Sequence, residues 1–249
     1  MSFTRYDSLQ GRTVIVTGGA SGIGAAFVRA FAENGARVAF LDIQADAGAA
    51  LSAELGQLFV PCDLTDVHAL RAALATVSAA HGPAAILVNN AANDQRYEFA
   101  TMSADEFDRA IAVNLRHVFF AAQAIVPQMQ ELGYGSIINM SSVAWMRGIT
   151  GLEAYAAAKA AIVGFTNTLA RRVGSSRIRV NAIAPGMVLT ERQRRLWFQD
   201  AGQIEANRAS QCLPDLIAPE DVANLALFLA ADDSRLITKQ CISVNAGIL

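Results

Sequence analysis

The chain has 249 residues, of which 53% are hydrophobic and 17% are charged, and its formal net charge at pH 7 is -2. This length suits one α/β domain, and the apolar composition excludes a disordered chain and favours strands that are buried on both faces. A charge this close to zero gives no electrostatic footprint for nucleic acid or for an anionic membrane surface. The expected partners are therefore small molecules and further copies of the chain.

The cysteines and the N-terminal segment indicate a cellular compartment. Cys62, Cys212 and Cys241 are widely spaced and form no C-x-x-C or Cys/His cluster, so we expect reduced thiols and no metal site. Residues 1–10 carry no apolar signal-peptide core, and no run of about 18 apolar residues occurs anywhere. The sequence therefore predicts a cytoplasmic protein that is not embedded in a membrane.

Short apolar runs alternate with amphipathic segments along the whole chain. The predicted strands are 13–17, 37–41, 58–61, 85–89, 136–140, 177–183 and 240–244. The predicted helices are 23–34, 45–55, 66–80, 103–132, 152–172 and 219–230. This alternation is typical of an α/β fold with a doubly wound parallel sheet, and no linker divides it, so we predict a single domain over residues 1–249.

One segment interrupts the alternation. More than thirty residues separate Pro185 from Pro219 without a strand pattern, and they contain Trp197, Phe198 and several arginines. Connections of this length are usually functional, and this one follows the carboxyl end of a strand, where open α/β sheets bind their ligands. We therefore interpret residues 187–218 as a lid over a substrate site.

A glycine-rich turn links the first strand to the first helix. Gly18, Gly22 and Gly24 remove the side chains that would block a pyrophosphate group, and the helix N-terminus offers amide donors to it. A plain turn is the alternative. Asp42 ends the second strand, where its carboxylate could bind adenosine ribose hydroxyls and repel a 2′-phosphate, which favours NAD. A turn or capping role is the alternative for Asp42.

Tyr155 and Lys159 stand four residues apart, which places them on one face of a helix. A nearby ammonium group favours a phenolate and lowers the phenol pKa towards the working range, so Tyr155 is the predicted acid/base. Ser142, at a strand end, would donate a hydrogen bond to the substrate oxygen. Its rival is Ser141, which on an extended strand would point the other way.

Asn114 lies inside a long apolar helix although asparagine is a poor helix former. We therefore expect its amide to be used. A buried asparagine that satisfies nearby backbone groups is the alternative, and the two roles can coexist. His68, His81 and His117 have no metal-ligand spacing, so no role is assigned to them.

Six motifs follow one another along the chain, and together they resemble the motif series of the short-chain dehydrogenase/reductase family. They are Thr17-Gly18-x-x-x-Gly22-x-Gly24, Asn89-Asn90-Ala91-Ala92, Asn114, Ser142, Tyr155-x-x-x-Lys159 and Pro185-Gly186-x-Val188-x-Thr190. The resemblance implies one Rossmann-like domain with a seven-stranded parallel sheet, a homotetramer, and hydride transfer from a hydroxyl-bearing carbon to NAD. Ala92 departs from the glycine that is usual in the family, and we expect only a modest backbone adjustment there.

The same resemblance implies the site residues. Asn114, Ser142, Tyr155 and Lys159 form the catalytic group, in which Asn114 takes part in a proton relay and Lys159 also holds the nicotinamide ribose. Asp63 and Leu64 would contact adenine, and Pro185 to Thr190 would contact the nicotinamide carboxamide. The complete set of predicted cofactor-binding residues is Gly18, Ser21, Gly22, Ile23, Gly24, Asp42, Ile43, Asp63, Leu64, Asn90, Ala91, Tyr155, Lys159, Pro185, Gly186, Val188 and Thr190.

Within the family, segments 93–96, 114–117 and 190–212 and the residue Trp145 are similar to those of bacterial sugar (aldose) 1-dehydrogenases. That likeness implies oxidation of the C1 hydroxyl of an aldose to an aldonolactone. A sugar site needs polar groups for the hydroxyls and an aromatic face for the ring. The predicted substrate-binding residues are Asn93, Asp94, Arg96, Ser142, Trp145, Tyr155, Arg192 and Trp197.

Alternatives remain for the lid residues and for the substrate. The tryptophans could pack in the lid or core, and Arg192 with its neighbours could form a solvated helix face or bind an anionic group on the sugar. The rival substrates are a polyol, a hydroxysteroid and a 3-oxoacyl group on a carrier protein. A catalytically silent NAD-binding sensor is the rival from another functional class.

Overall fold

The computed structural model describes residues 3–248, and seven of its segments form one parallel sheet. The strands are Thr13–Thr17 (β1), Arg37–Asp42 (β2), Leu58–Pro61 (β3), Ile86–Asn89 (β4), Gly135–Met140 (β5), Ile178–Pro185 (β6) and Cys241–Val244 (β7). They lie in the order β3-β2-β1-β4-β5-β6-β7. The strand order reverses between β1 and β4, and ligands of doubly wound sheets bind beyond the strand ends at such a point.

Helices connect the strands on both faces of the sheet. They are Gly22–Glu33 (α1), Ala45–Leu55 (α2), Val67–His81 (α3), Ala104–Ile111 (α4), His117–Leu132 (α5), Ala144–Arg147 (α6), Glu153–Val173 (α7), Glu191–Leu196 (α8), Ala201–Ala209 (α9) and Pro219–Ala230 (α10). The helix predicted over 103–132 divides into α4 and α5, because a π-helical turn at Ala112–Arg116 separates them. Predicted and observed boundaries otherwise agree closely.

The core consists of two hydrophobic clusters, one on each face of the sheet. Val14 and Val16 of β1 belong to the cluster that contains Phe27 and Phe31 of α1, whereas Ile15 belongs to the other cluster. Successive side chains of a strand point to opposite faces, so a strand buried on both faces needs apolar residues at every position. This is why the central strands show continuous apolar runs instead of an alternating pattern.

Residues 187–218 contain two short helices, α8 and α9, and no strand beyond an isolated bridge between Val188 and Ile217. Each helix begins at a capping side chain. The Thr190 hydroxyl accepts a hydrogen bond from the Gln193 amide at 3.3 Å, and the Asp200 carboxylate accepts one from the Gly202 amide at 2.9 Å. The segment is therefore ordered locally, although the sequence pattern predicted neither helix.

The continuous helical run Ala104–Leu132 is long and apolar enough to cross a membrane, judged by length and composition alone. In the structure α5 packs against α3 and α7 and contributes Ala121, Ile125 and Met129 to the core. A core helix that covers a sheet passes the same test, so this helix does not indicate a membrane protein.

Candidate active site

The glycine loop between β1 and α1 has a shape that only glycines allow. A Cβ atom on Gly24 would lie 1.8 Å from the Gly18 carbonyl oxygen, and one on Gly18 would lie 2.7 Å from the Ala91 Cα atom. Gly18 and Gly22 also have φ angles of +66° and +56°, which disfavour other residues. Ser21 is the N-cap of α1, but its side chain caps no amide. The helix N-terminus is thus left with amide donors that fit a pyrophosphate group.

Asn90 holds this loop in place. Its side-chain amide donates to the carbonyls of Thr17 at 3.0 Å and Gly18 at 2.9 Å. The Thr17 hydroxyl in turn accepts hydrogen bonds from the backbone amides of Asn90 and Ala91. Ala92 is exposed and is not among the residues with a positive φ, so the replacement of the usual glycine requires no strained backbone. The Asn90 side chain therefore holds the glycine loop in its observed conformation.

Asp42 lies at the carboxyl end of β2, beside the glycine loop, and only 5% of it is exposed. Its carboxylate accepts hydrogen bonds from the Ala20 amide at 2.9 Å and the Gln44 amide at 3.0 Å. The turn role is therefore present in the structure. Each carboxylate oxygen can accept more than one hydrogen bond, so ribose hydroxyls could bind there as well.

The residues expected around adenine lie at the same sheet edge as Asp42. The Cys62 amide donates to the Asp42 carbonyl at 2.9 Å, so Asp63 and Leu64 follow directly beyond it. Ile43 is 69% exposed at this edge and offers an apolar surface. This arrangement fits the adenosine end of a dinucleotide.

The segment that follows β6 contacts both the glycine loop and the residues that follow β5. The Thr190 methyl carbon lies 3.2 Å from the position that a Gly22 Cβ would take, and the Val143 amide donates to the Pro185 carbonyl at 3.2 Å. Residues 185–190 therefore run between the glycine loop and the segment that carries Ser142. Three segments that are remote in sequence thus lie next to one another at the carboxyl edge of the sheet.

Tyr155 and Lys159 share one face of α7, as their spacing predicted. The Nζ atom of Lys159 lies 5.5 Å from the centroid of the Tyr155 ring and donates a hydrogen bond to the Met140 carbonyl at 2.7 Å. Burial lowers the pKa of Lys159 to about 7, against the raising effect of the Asp94 charge.

The pKa of Tyr155 does not follow the prediction from its spacing to Lys159. Burial raises this pKa to about 12, the hydroxyl of Ser142 opposes the rise, and the charge of Asp94 adds to it. The expected net lowering of the Tyr155 pKa is therefore not found in the protein by itself, where the shift is upward. Desolvation by burial is the largest contribution to this shift.

The structure distinguishes the two adjacent serines. The Ser141 hydroxyl is buried, donates to the Lys159 carbonyl at 2.8 Å and accepts from the Trp145 indole at 3.2 Å. The Ser142 hydroxyl is partly exposed, interacts with Tyr155 and accepts a hydrogen bond from the Ala144 amide at 3.1 Å. Ser142 is thus the serine available to a substrate oxygen, whereas Ser141 anchors α7 and Trp145.

Asn114 is fully buried in the π-helical turn, and its amide is engaged by backbone groups. Its Nδ2 atom donates to the carbonyls of Asn93 at 2.9 Å and Ala110 at 3.0 Å, and its Oδ1 atom accepts from the Asn93 amide at 2.9 Å. The alternative of a buried asparagine that satisfies backbone groups is therefore what the structure contains. Asn114 fixes the loop after β4 that carries Asn93 and Asp94.

Five of the residues predicted to bind substrate contact one another across the loop after β4 and the segment 187–218. The Arg192 guanidinium donates to the Asn93 side chain at 2.8 Å and pairs with the Asp94 carboxylate at 3.3 Å. The Arg96 guanidinium lies over the Trp197 ring, 4.7 Å from its centroid. Arg192 lies on a solvated helix face, as one alternative predicted, and its side chain is 44% exposed, but its charge is paired with Asp94.

Several residues at the site were not predicted from the sequence. Gln193 donates to the Asp94 carboxylate at 2.6 Å, and the carbonyl of Met140 accepts from Lys159. A small cleft beside Tyr155 is lined by Gln95, Tyr97, Phe99, Met102, Gly151, Leu152, Glu153 and Ala154. Gln95 to Met102 follow β4 directly, and this position in the sequence could have indicated them. The Met140 carbonyl could not be predicted in this way, because every residue type carries a backbone carbonyl.

The sheet order, the glycine loop and the Ser142, Tyr155 and Lys159 group define an oxidoreductase that uses a nicotinamide cofactor. The profile of a family described as enoyl-(acyl carrier protein) reductase matches residues 18–248. The chain belongs to the short-chain dehydrogenase/reductase family.

Several known proteins are similar over almost the whole chain. A protein of Rhizobium meliloti (strain 1021) named "Probable galactose dehydrogenase GalD" is 45% identical, with 98% of each chain covered. A D-xylose 1-dehydrogenase of Caulobacter vibrioides is 43% identical, with 99% of each covered. The structure also matches a crystal structure of a ribose-5-phosphate isomerase from Brucella melitensis 16M, with a TM-score of 0.90 and 30% identity over 96% of this chain and 93% of that one.

Proposed function

We propose that the protein oxidises an aldose at its anomeric C1 hydroxyl and transfers the hydride to NAD, giving an aldonolactone and NADH. The observation that carries this proposal is the similarity, at 43–45% identity over 98–99% of the chain, to proteins named as galactose and D-xylose dehydrogenases. The product follows from the chemistry, because removal of hydride and proton from a cyclic hemiacetal leaves a lactone.

The catalytic side chains divide the work on the substrate hydroxyl. The Tyr155 oxygen takes the hydroxyl proton, and Ser142 donates a hydrogen bond to the same substrate oxygen. Lys159 is held at the Met140 carbonyl. When Lys159 is protonated, its positive charge favours the Tyr155 phenolate. When bound, the nicotinamide ring supplies the hydride acceptor. In this proposal Asn114 acts by fixing the loop that carries Asn93 and Asp94, besides any role in a relay.

NAD is the proposed cofactor because of the charge at the adenosine end. Asp42 places a carboxylate at the end of β2, and the residues hydrogen-bonded to it, Ala20 and Gln44, carry no positive charge. A 2′-phosphate would meet this carboxylate with like charge, whereas a ribose hydroxyl would donate to it. The other proposed NAD-contacting residues are those of the glycine loop, residues 63–64 and residues 185–190.

The lid favours a neutral sugar. The Arg192 charge is already paired with Asp94, which disfavours Arg192 as the partner of a carboxylate or sulfonate on the substrate. Residues 187–218 cover the site in this proposal, and Asn93, Asp94, Arg96, Trp145 and Trp197 surround the sugar hydroxyls and ring. A neutral pentose or hexose is therefore the proposed substrate class.

We further infer a cytoplasmic homotetramer. Phe107 of α4 and Phe119 of α5 are 45% and 48% exposed, and apolar rings on neighbouring helices suit a subunit interface. The three cysteines carry free thiols, which suits a reducing compartment. Light scattering coupled to size-exclusion chromatography tests the subunit number, and a monomeric mass would contradict it.

A panel of alcohols tests the proposed reaction. NADH formation would be followed at mildly alkaline pH with neutral aldoses, uronic acids and polyols, and the aldonolactone would be trapped with hydroxylamine. We expect activity with at least one neutral pentose or hexose and a lower kcat/KM with the matching uronic acid. Oxidation confined to polyols would overturn C1 oxidation; a 35% identical relative named D-threitol dehydrogenase makes polyols the second candidate substrate class. NAD binding without turnover of any alcohol would favour the alternative of a catalytically silent NAD-binding sensor.

A further inference from the structure

Arg116 is a surface residue for which the proposed reaction has no use. It is the last residue of the π-helical turn Ala112–Arg116, and it is exposed. One of its guanidinium nitrogens donates a hydrogen bond of 2.7 Å to the backbone carbonyl of Thr65, a residue 51 positions away in the sequence. A charged donor makes a stronger hydrogen bond than a neutral one, so this short contact constrains the segment that carries Thr65.

Thr65 belongs to the loop between β3 and α3, at the sheet edge proposed for the adenosine end of the cofactor. The loop begins at Cys62, whose amide is bonded to the carboxyl end of β2, and it ends at Asp66, whose carboxylate caps α3. Between these points the side chain of Leu64 packs in the core. The hydrogen bond from Arg116 adds an anchor that comes from a different part of the chain, the helical run α4–α5.

The same loop presents the carboxylate that is expected at adenine. The Oδ1 atom of Asp63 accepts hydrogen bonds from the Thr65 amide at 2.9 Å and from the Thr65 hydroxyl at 2.7 Å. Asp63 is exposed, and within residues 3–248 these two bonds leave its Oδ2 atom open to a donor such as the adenine amino group. Thr65 therefore binds Arg116 through its carbonyl and Asp63 through its amide and hydroxyl, so the two charged side chains are linked through one residue.

The π-helical turn holds a second loop in the same manner. Asn114 binds the backbone of Asn93 on the substrate side of the site, whereas Arg116 binds Thr65 on the adenosine side. Residues two positions apart on a helix do not face each other, so one turn can hold two loops that lie in different directions. Short π-helical turns within α-helices are frequent at functional sites, and the contacts of this turn give it such a use.

We propose that Arg116 is a positioning residue for cofactor binding: its hydrogen bond to the Thr65 carbonyl holds the Asp63 carboxylate where it accepts from the adenine amino group. Arg116 acts through Thr65 and Asp63 and takes no part in hydride transfer. Its loss therefore weakens the binding of ligands that contain adenosine and leaves kcat at saturating cofactor unchanged. The inference rests on the proposed function only in placing adenine beside Asp63.

The test compares Arg116→Met, which removes the donors and keeps an unbranched side chain, with Arg116→Lys, which keeps a cationic donor. We expect Arg116→Met to raise the calorimetric Kd of NAD and of AMP about fivefold, the effect of one lost hydrogen bond. Nicotinamide mononucleotide, which lacks adenine, should bind within about twofold of its wild-type affinity. Arg116→Lys should restore most of the affinity for NAD and AMP.

Arg71→Met is the matched control, because it removes the same charge from α3, directly after the loop. Arg71 is exposed and binds the Gln123 side chain, so its replacement should change none of these affinities.

Three results would overturn the inference: an unchanged Kd of AMP in Arg116→Met, an equal loss of affinity for nicotinamide mononucleotide, or no recovery in Arg116→Lys. The binding measurements use no sugar, so a mistaken substrate assignment does not affect them. A wild-type preference for NADP would refute the proposed choice of NAD, but AMP would still test Arg116, because both cofactors contain adenosine. A failure of the proposed function and a failure of this inference are therefore distinguishable.

Discussion

The carboxylate of Asp94 accepts a hydrogen bond of 2.6 Å from Gln193, a residue 99 positions further along the chain. This contact joins the loop after β4 to α8, in the segment that we propose as a lid. The same carboxylate raises the pKa values of Lys159 and Tyr155. The position of α8 and the pKa values of Tyr155 and Lys159 therefore depend on one side chain.

Loss of the lid contacts should weaken substrate binding. Replacing Arg192 and Gln193 together by alanine removes the donors to Asp94, and each such bond contributes about 0.5–1.5 kcal/mol. We expect the KM for the sugar to rise about tenfold and proteolytic cleavage within 187–218 to become faster. Arg194→Ala, an exposed neighbour on α8, is the control and should change neither measurement. Equal effects of the double variant and the control would contradict a specific role for the contacts of Arg192 and Gln193 with Asp94.

Removal of the Tyr155 hydroxyl should stop the chemistry and spare cofactor binding. Tyr155→Phe keeps the ring beside Lys159, but it leaves no group to take the substrate proton, so kcat should fall by about 10³-fold or more. NAD affinity, measured by calorimetry, should stay within about threefold. Tyr97→Phe, in the same cleft, is the control and should remain active. Substantial turnover by Tyr155→Phe would refute Tyr155 as the acid/base.

Asp42 should set the choice between the two nicotinamide cofactors. Asp42→Ser removes the carboxylate that would bind the ribose hydroxyls, so the KM for NAD should rise about tenfold and the NADP-to-NAD activity ratio should increase. The melting temperature should also fall, because the Ala20 and Gln44 amides lose their acceptor. Asp46→Ser, at the start of α2, controls for a general loss of negative charge. A wild-type preference for NADP over NAD would contradict the proposal that NAD is the cofactor.

Gly24 and Gly164 should respond in opposite ways to the same substitution. Gly24→Ala places a Cβ atom 1.8 Å from the Gly18 carbonyl, so the loop must shift, and we expect loss of both stability and NAD binding. Gly164→Ala lies within α7 with no atom near the new Cβ, so it should stabilise the helix by about 0.5–1 kcal/mol. Thermal melts with and without NAD check both. If Gly24→Ala binds NAD normally, the loop is not the pyrophosphate site.

Acid sensitivity should report the buried state of His117. The unfolded chain binds a proton at this histidine near its ordinary pKa of 6.5, whereas the folded chain does so only near 3. Between these values the unfolded state holds more protons, so stability rises with pH and is lost as the pH falls. Across this window the wild-type protein should lose up to about 1.4 kcal/mol per pH unit more than His117→Gln. Denaturant titrations from pH 6.5 to 3 check it, and parallel curves would show that His117 is protonated in the folded protein.

Much of the fold follows from local sequence patterns. Strands such as β1, β3 and β4 begin and end where apolar runs meet turn residues, and α1 and α10 follow their amphipathic spacing. The order of the glycine loop, Ser142, Tyr155 and Lys159 likewise identified the family. The π-helical turn within 103–132 was missed, because one extra backbone residue per turn leaves no compositional trace.

The sequence by itself thus determined the strands, the helix that carries Tyr155 and Lys159, and the loop that suits a dinucleotide. The tertiary structure alone decided the pairing of Asp94 with Gln193 and Arg192, the separate roles of Ser141 and Ser142, and the rise of the Tyr155 pKa. The physical reason is the sequence separation between the residues that interact. Helix and strand patterns depend on neighbours a few positions away, whereas pairing across the sheet edge and desolvation depend on segments that meet only when the chain folds.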